Sequence, residues 1–177
     1  TYGRALSLSN FRDGTANTVM FAERTKGTCN FSTPEKSDSY GATFSLTFNR
    51  DADTAGIFQV CRTAPSTSVF YQQGRYCASP GFGLQFSDGW GFSWYIASLY
   101  NHVAPPNWSG WDCTIGSSIA DVPSEHGIIS ARSAHPGGVN ALLGDGSVKF
   151  MKDSVDVFVW RALGTPNGGE VISADQY

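Results

Sequence analysis

The chain has 177 residues, enough for one domain that buries a core without metals or many covalent staples. Charged residues make up 15% against roughly 25% in an average soluble protein, while aromatics reach 14%. The 12 Lys and Arg are scattered and the net charge is −3, so no basic field exists to neutralise phosphates, which argues against nucleic acid and anionic membrane surfaces as partners.

Glycine-rich turns between β-branched and aromatic runs predict a sheet-dominated fold. A turn is expected at Asn10-Phe11-Arg12-Asp13-Gly14 and a strand over residues 17–23. Phe44, Leu46 and Phe48 alternate with Thr43, Ser45 and Thr47, which predicts a strand over 42–48, and a further strand is expected over 56–62. Pro65, Gly74, Pro80, Gly81 and Gly83 punctuate a long loop up to about Asp88. The aromatic run 90–100 fits a long strand, on the spacing of Trp90, Phe92 and Trp94, or a short helix, on that of Phe92, Tyr95 and Leu99, with helix preferred over 96–100.

The last fifty residues carry the strongest local signals. A short strand is predicted over 127–130. Asp145-Gly146, set between Val139-Asn140-Ala141-Leu142-Leu143 and Ser147-Val148-Lys149-Phe150-Met151, predicts a β-hairpin, because the tight turn needs a positive φ. Asp153 or Ser154 is expected to cap a helix over 154–163 whose Val155, Phe158, Val159 and Ala162 share a face, with Gly164 as its left-handed stop. No repeat and no linker divides the chain. The expectation is a single α+β, β-rich domain over 1–177: antiparallel sheets with long loops, a C-terminal hairpin and one short C-terminal helix.

Cys29, Cys61, Cys77 and Cys113 contain no CxxC pair, so redox and zinc motifs are absent, and two disulfides in an oxidising compartment are expected. All three pairings remain open. Residues 89–111 lack Asp, Glu, Lys and Arg over a length that could span a membrane, but Asn101, Pro105, Pro106 and Asn107 interrupt them. Neither an initiator Met nor a charged-then-apolar leader stands at Thr1, as expected of a chain that begins in mid-protein or after processing.

His135 is followed by nine residues and then Asp145-Gly146. Around them stand Ser133-Ala134-His135-Pro136-Gly137-Gly138-Val139-Asn140, Leu143-Gly144-Asp145-Gly146-Ser147-Val148-Lys149-Phe150, Trp160-Arg161-Ala162-Leu163-Gly164-Thr165 and Gly168-Gly169-Glu170-Val171-Ile172. Upstream lie Phe11-Arg12-Asp13-Gly14-Thr15-Ala16-Asn17-Thr18 with Glu23, and Asn101-His102-Val103 with Pro105-Pro106-Asn107 ahead of Cys113. This set resembles the large planctomycetal family of prepilin-like proteins of unknown function, in its C-terminal portion. The resemblance implies an exported protein with a pseudopilin-like globular headgroup, joined to the membrane only through an N-terminal helix that this sequence lacks. An older label for the family is extracellular solute binding, which carries only an associational warrant.

His135 and Asp145 could orient one another or share a cation, yet Asp145-Gly146 is accounted for as a turn, and a ring donating to backbone carbonyls accounts for His135 ahead of Gly137 and Gly138. Asp51 and Asp53 with Gly56 form a string like part of a calcium loop, without the closing Glu; a solvated turn is the preferred reading. No Gly-x-Ser-x-Gly, no Cys beside a His and no phosphate-binding Lys motif appears, so no catalytic residue is assigned and no enzyme is expected. Trp90, Trp94, Tyr95, Trp108 and Trp111 could grip a glycan, a peptide or a small solute, or another subunit. The function expected is that of a structural subunit contacting other protein subunits, as a homo-oligomer or filament, and the alternative is an extracellular binding module. No cofactor is expected, with calcium the one ion for which oxygen ligands can be named.

Overall fold

The computed structural model describes residues 6–25, 35–37, 40–42, 47, 49–63, 99–115, 127–173 and 175–177. Six strands and two α-helices lie within these: β1 (Val19–Ala22), β2 (Tyr40–Ala42), α1 (Arg50–Arg62), β3 (Cys113–Ile115), β4 (Gly127–Ile128), β5 (Gly138–Leu143), β6 (Val148–Lys152) and α2 (Val157–Leu163). The fold is α+β and β-rich. Among the described residues no helix is long and apolar enough to cross a membrane.

The first sheet has the order β1-β5-β6 and is antiparallel throughout. Two of its three strands, β5 at the centre and β6 at the edge, are the predicted hairpin. Val139, Ala141 and Leu143 point to one face and are buried, opposite half-buried Asn140 and Leu142, as the period of two requires. Leu143 O accepts from Gly146 N at 3.0 Å and Gly146 has φ +88°, so the loop is the three-residue kind in which a left-handed Gly follows a turn. Asp145 Oδ1 accepts from Ser147 N at 2.9 Å and from Ser147 Oγ at 2.7 Å, which holds the turn from within. The β1 partner of Leu143 is Val19 and that of Leu142 is Phe21, so Met20 is the extra residue of a bulge.

α2 closes the buried face of this sheet. Its Trp160 and Leu163 pack with Val19, Ala131, Val139, Ala141, Leu143, Met151 and Val155. The predicted helix starts three residues too early: Asp156, not Asp153 or Ser154, is the cap, and its side chain accepts from Phe158 N and Val159 N. Of the predicted face, Val155 and Ala162 are buried and Val159 packs on the core, but Phe158 is 74% exposed and Trp160 is wholly buried. Gly164 has φ −85° and is not a left-handed stop. A Cβ there would come within 2.5 Å of the His102 ring, so close approach, not handedness, calls for glycine.

The second sheet, β2-β3-β4, is mixed, with β2 parallel to β3, where only antiparallel pairing was expected. Beside it stands α1, which replaces both the predicted strand over 56–62 and the predicted turn at Asp51 and Asp53. Asn49 Oδ1 accepts from Ala52 N at 3.1 Å, capping the first turn, and Asp53 Oδ1 accepts from Thr47 N at 2.8 Å. Asp53, Ile57 and Cys61, four residues apart, are all buried, a helical stripe that outweighs the β propensity of Ile57, Phe58 and Val60. Ile57 and Cys61 form a second core with Ala104, Trp108, Cys113 and Ile128. Cys61 and Cys113 are joined as a disulfide with Cα atoms 5.8 Å apart. Cys29 and Cys77, residues 43–46 and 48 of the strand expected over 42–48, and most of the aromatic run 90–100 lie outside the described residues; Leu99 and Tyr100, at its end, are irregular and not helical.

Candidate functional site

The segment from Arg132 to Gly138, which leads into β5, is fixed almost entirely by side chains bonding to backbone. Asn107 holds its start and end together: Oδ1 accepts from Ser133 N at 2.8 Å, and Nδ2 donates to Gly138 O at 3.2 Å and to Asp153 Oδ1 at 2.9 Å. Asn107 itself has φ +48°, a backbone region a non-glycine residue occupies only when its surroundings insist on it. Ser133 Oγ donates to Gly138 O at 2.7 Å and accepts from His135 N at 3.0 Å. Gly137 has φ +85°, and a Cβ on Gly138 would collide with Met151 O, so both glycines are required by geometry.

The sequence expectation that the His135 ring donates to backbone carbonyls is not met among the described residues. His135 Nε2 lies 3.2 Å from Glu23 Oε1, an ion pair when the ring is protonated. Glu23 follows β1 directly and is the hub of the site: Oε2 accepts from Asn140 N at 2.8 Å and Oε1 from Asn140 Nδ2 at 3.1 Å. The Asn140 N–H bond above all, and also the Asn140 amide and His135, hold the Glu23 carboxyl below the usual carboxylate range. Asp145 is elsewhere, at the far end of β5, a strand of 6 residues and so roughly 20 Å long. His135 and Asp145, three words of one sequence pattern with Gly146, therefore never form one constellation.

Beneath Glu23 and His135 sits a buried ionic cluster that the sequence reading missed. Asp112, wholly buried beside Cys113, accepts through Oδ1 from Ser130 Oγ at 2.7 Å and from Arg132 Nε and Nη2 at 3.2 and 3.1 Å. Arg132 also donates to Trp108 O at 3.0 Å and Gly110 O at 2.9 Å. Asp112 Oδ2 faces Arg24 Nη2 at 3.4 Å, and Arg24 Nη1 donates to Leu99 O at 3.1 Å. Burial, opposed by Asp112, draws the Arg24 guanidinium below its ordinary pKa, with the Arg132 charge acting in the same sense as burial. The one available signal was positional: Asp112 stands between Trp111 and Cys113, and Arg132 directly follows Ile128-Ile129-Ser130-Ala131.

An open pocket of about 360 Å³ lies over this cluster, lined by Glu23, Arg24, Arg132, Ser133 and His135. Its chemistry is that of a polar recess with one carboxylate and two guanidiniums. Ser133 Oγ is turned to Gly138 O, away from any role as a nucleophile activated by the His135 ring. Among the described residues no three His, Cys, Asp or Glu side chains converge as ion ligands. Asp53 is committed to Thr47, through Oδ1 to both Thr47 N and Oγ1, and α1 stands where the calcium-like loop was expected with Asp51.

The aromatic candidates divide. Trp108 is only 6% exposed and packs on Phe58 with ring centroids 5.1 Å apart, so it is a core residue and not a contact surface. Trp111 is half-buried against the same core. Trp90, Trp94 and Tyr95 lie outside the described residues.

A second polar group lies against the core around Trp160. His102 stacks on Trp160 with centroids 3.9 Å apart, its Nδ1 2.7 Å from Trp160 O and its Nε2 3.2 Å from Tyr100 OH. Burial pushes its pKa down to about 4, against the opposing bond to Trp160 O, and burial raises that of the Tyr100 phenol.

No curated protein and no solved structure matches the chain. The model of one family, described as a protein of unknown function (DUF1559), matches residues 1–157, a span that takes in Glu23, Asn107, Asp112, Arg132, His135 and the whole hairpin. The chain therefore belongs to the DUF1559 family.

Proposed function

We propose that this chain is a non-enzymatic structural module, the exported head of a pseudopilin-like or cell-surface filament subunit that works through shape and contacts. The observation that supports it is the use to which the family-like residues are put. Glu23, Asn107, Ser133 and Asp145 each bond to backbone and fix strands or turns, so their chemistry is spent on architecture. The outer face of the β1-β5-β6 sheet meanwhile presents Phe21, Val148 and Phe150 to solvent, a row suited to contact with protein. Export agrees with the Cys61–Cys113 disulfide, which persists in oxidising compartments. The test is cell fractionation with an antibody against the native protein, followed by intact-mass measurement. Recovery in the sheared surface fraction as higher-order assemblies is expected, and recovery as a soluble cytosolic protein with reduced cysteines would refute the reading.

A second reading, an extracellular binding module, rests on the 360 Å³ pocket beside Arg24 and Arg132 rather than on the tryptophans. A screen of small carboxylates and amino acids by thermal shift decides it, with Arg132 left intact because its removal would disturb the fold.

A further inference from the structure

Two arginines and two phenylalanines outside the site form a ladder across α1 and α2. The Arg62 guanidinium lies 5.8 Å from the centre of the Phe58 ring, and that of Arg161 lies 5.7 Å from the same ring and 6.0 Å from Phe158. Arg62 is exposed and Phe158 is 74% exposed, while Trp108 backs Phe58 from the core. Arg161 Nε donates to Val103 O at 2.9 Å, and burial lowers its pKa. Among the described residues neither guanidinium has a carboxylate within ion-pair distance; the ion pairs formed there belong to Arg24, Arg132 and His135. Two like charges sharing one aromatic ring gain attraction from the ring but repel each other, and an incoming anion relieves that repulsion.

A complementary corner is built elsewhere on the chain. Asp13 accepts from Gly168 N at 2.6 Å and from Gly169 N at 2.9 Å, clamping the turn that presents Glu170 and Val171. Glu170 is exposed and Val171 is 98% exposed, the most exposed large apolar side chain described. A carboxylate beside an aliphatic knob matches a guanidinium beside an aromatic ring.

We propose that a second copy of this chain seats its Glu170-Val171 corner on the Arg62–Phe58–Arg161–Phe158 ladder. The inference rests on the structural-subunit reading and assigns that reading a contact. Because the two patches differ, the contact is heterologous, and its repetition yields a ring or an open filament according to the rotation between copies.

Sedimentation of the purified chain across a concentration series tests this. The wild type is expected to associate reversibly, and more weakly as salt rises. Arg62→Glu and Glu170→Arg are each expected to weaken association by about tenfold or more, and the two together to restore it, since the swapped charges again attract. Circular dichroism should be the same for all four proteins; Arg62 and Glu170 are exposed, and Phe158→Ser serves as a third surface variant should one of them misfold. Association unchanged by Arg62→Glu, or single variants that the double does not rescue, would overturn the contact while leaving the structural reading to the fractionation result. A wild type monomeric at ~1 mM would also overturn it, since a contact weaker than this cannot be the seat of an assembly.

Discussion

At the scale of single residues, Glu23 and His135 form a pair whose partners are unequally committed. His135 is 56% exposed and among the described residues its ring holds only the Glu23 bond, whereas Glu23 also takes the Asn140 N–H and amide. Exposed ion pairs contribute about 0–1 kcal/mol, while leaving a part-buried donor without its acceptor costs about 1–3 kcal/mol. His135→Ala is therefore expected to lower stability slightly and Glu23→Ala clearly more, as read by urea midpoints at constant slope. Equal losses would show that the His135 ring, not the Asn140 bonds, secures β1 to β5. His102 makes the opposite kind of prediction, one of pH. In the unfolded chain its ring titrates near 6.5, and in the fold burial holds it down to about 4. Above pH 6.5 both states keep a neutral ring and stability is full. As pH falls from 6.5 toward 4 only the unfolded chain takes up the proton, so stability declines, levelling off about 3 kcal/mol lower at roughly 1.4 kcal/mol per unit. His102→Gln should flatten the pH dependence of the urea midpoint across that window. A variant as pH-dependent as the wild type would place the titrating group elsewhere.

At the scale of elements, the Asp112 cluster does what neither sheet does alone. Asp112 precedes β3, Ser130 and Arg132 follow β4, and Arg24 follows β1, so one carboxylate ties the β2-β3-β4 sheet to the β1-β5-β6 sheet. Asp112→Ala would leave two guanidiniums buried against each other, and breaking such a pair from one side costs on the order of 3–5 kcal/mol. The expected result is a large fall in melting temperature, partly reversed when Arg132 is replaced by Met in the same chain. A fall that the second substitution deepens would mean that Arg132's bonds to Trp108 O and Gly110 O outweigh its charge. The same elements show what a sequence discloses. The β5–β6 hairpin was legible because alternation, Asp145 and Gly146 act within a dozen residues of one another. α1 was not, since Gly56-Ile57-Phe58-Gln59-Val60 has strand propensity, and helix is decided by Asn49, by Asp53 reaching back to Thr47, and by burial of Ile57 and Cys61 against Trp108 and Ile128. Glu23 and His135 each stood out in sequence, but their meeting depends on the β1–β5 register across 112 positions, and the charges of Asp112 and Arg132 beside apolar neighbours do not say that the two meet across 20 positions.

At the scale of the whole molecule, the two cores are held by different means. The core of β1, β5, β6 and α2 is closed by apolar packing around Trp160 and by a hairpin of short sequence separation. The core of α1, β3 and β4 is smaller, and its sheet has strands of three, three and two residues. There the Cys61–Cys113 disulfide closes a separation of 52 residues. Constraining a loop of that size in the unfolded chain is worth about 4 kcal/mol in the chain-entropy account, and measured values run from about 2 to 4 kcal/mol. Removing it by Cys61→Ala with Cys113→Ala should therefore lower stability by that order. The loss is also expected to be uneven, because sub-global opening follows the weakest cooperative unit. Amide exchange should accelerate in α1 and β3, while Ala141, Leu142 and Leu143 in the central strand of the other sheet keep their protection. Asp112 and Arg132 join the two cores, as do Arg161 with Val103 O and Phe58, so opening of the first exposes the ion cluster and weakens its grip on the second. If exchange instead accelerates equally in both, the cluster couples the cores into one cooperative unit, and the disulfide stabilises the entire fold rather than the α1 side of it.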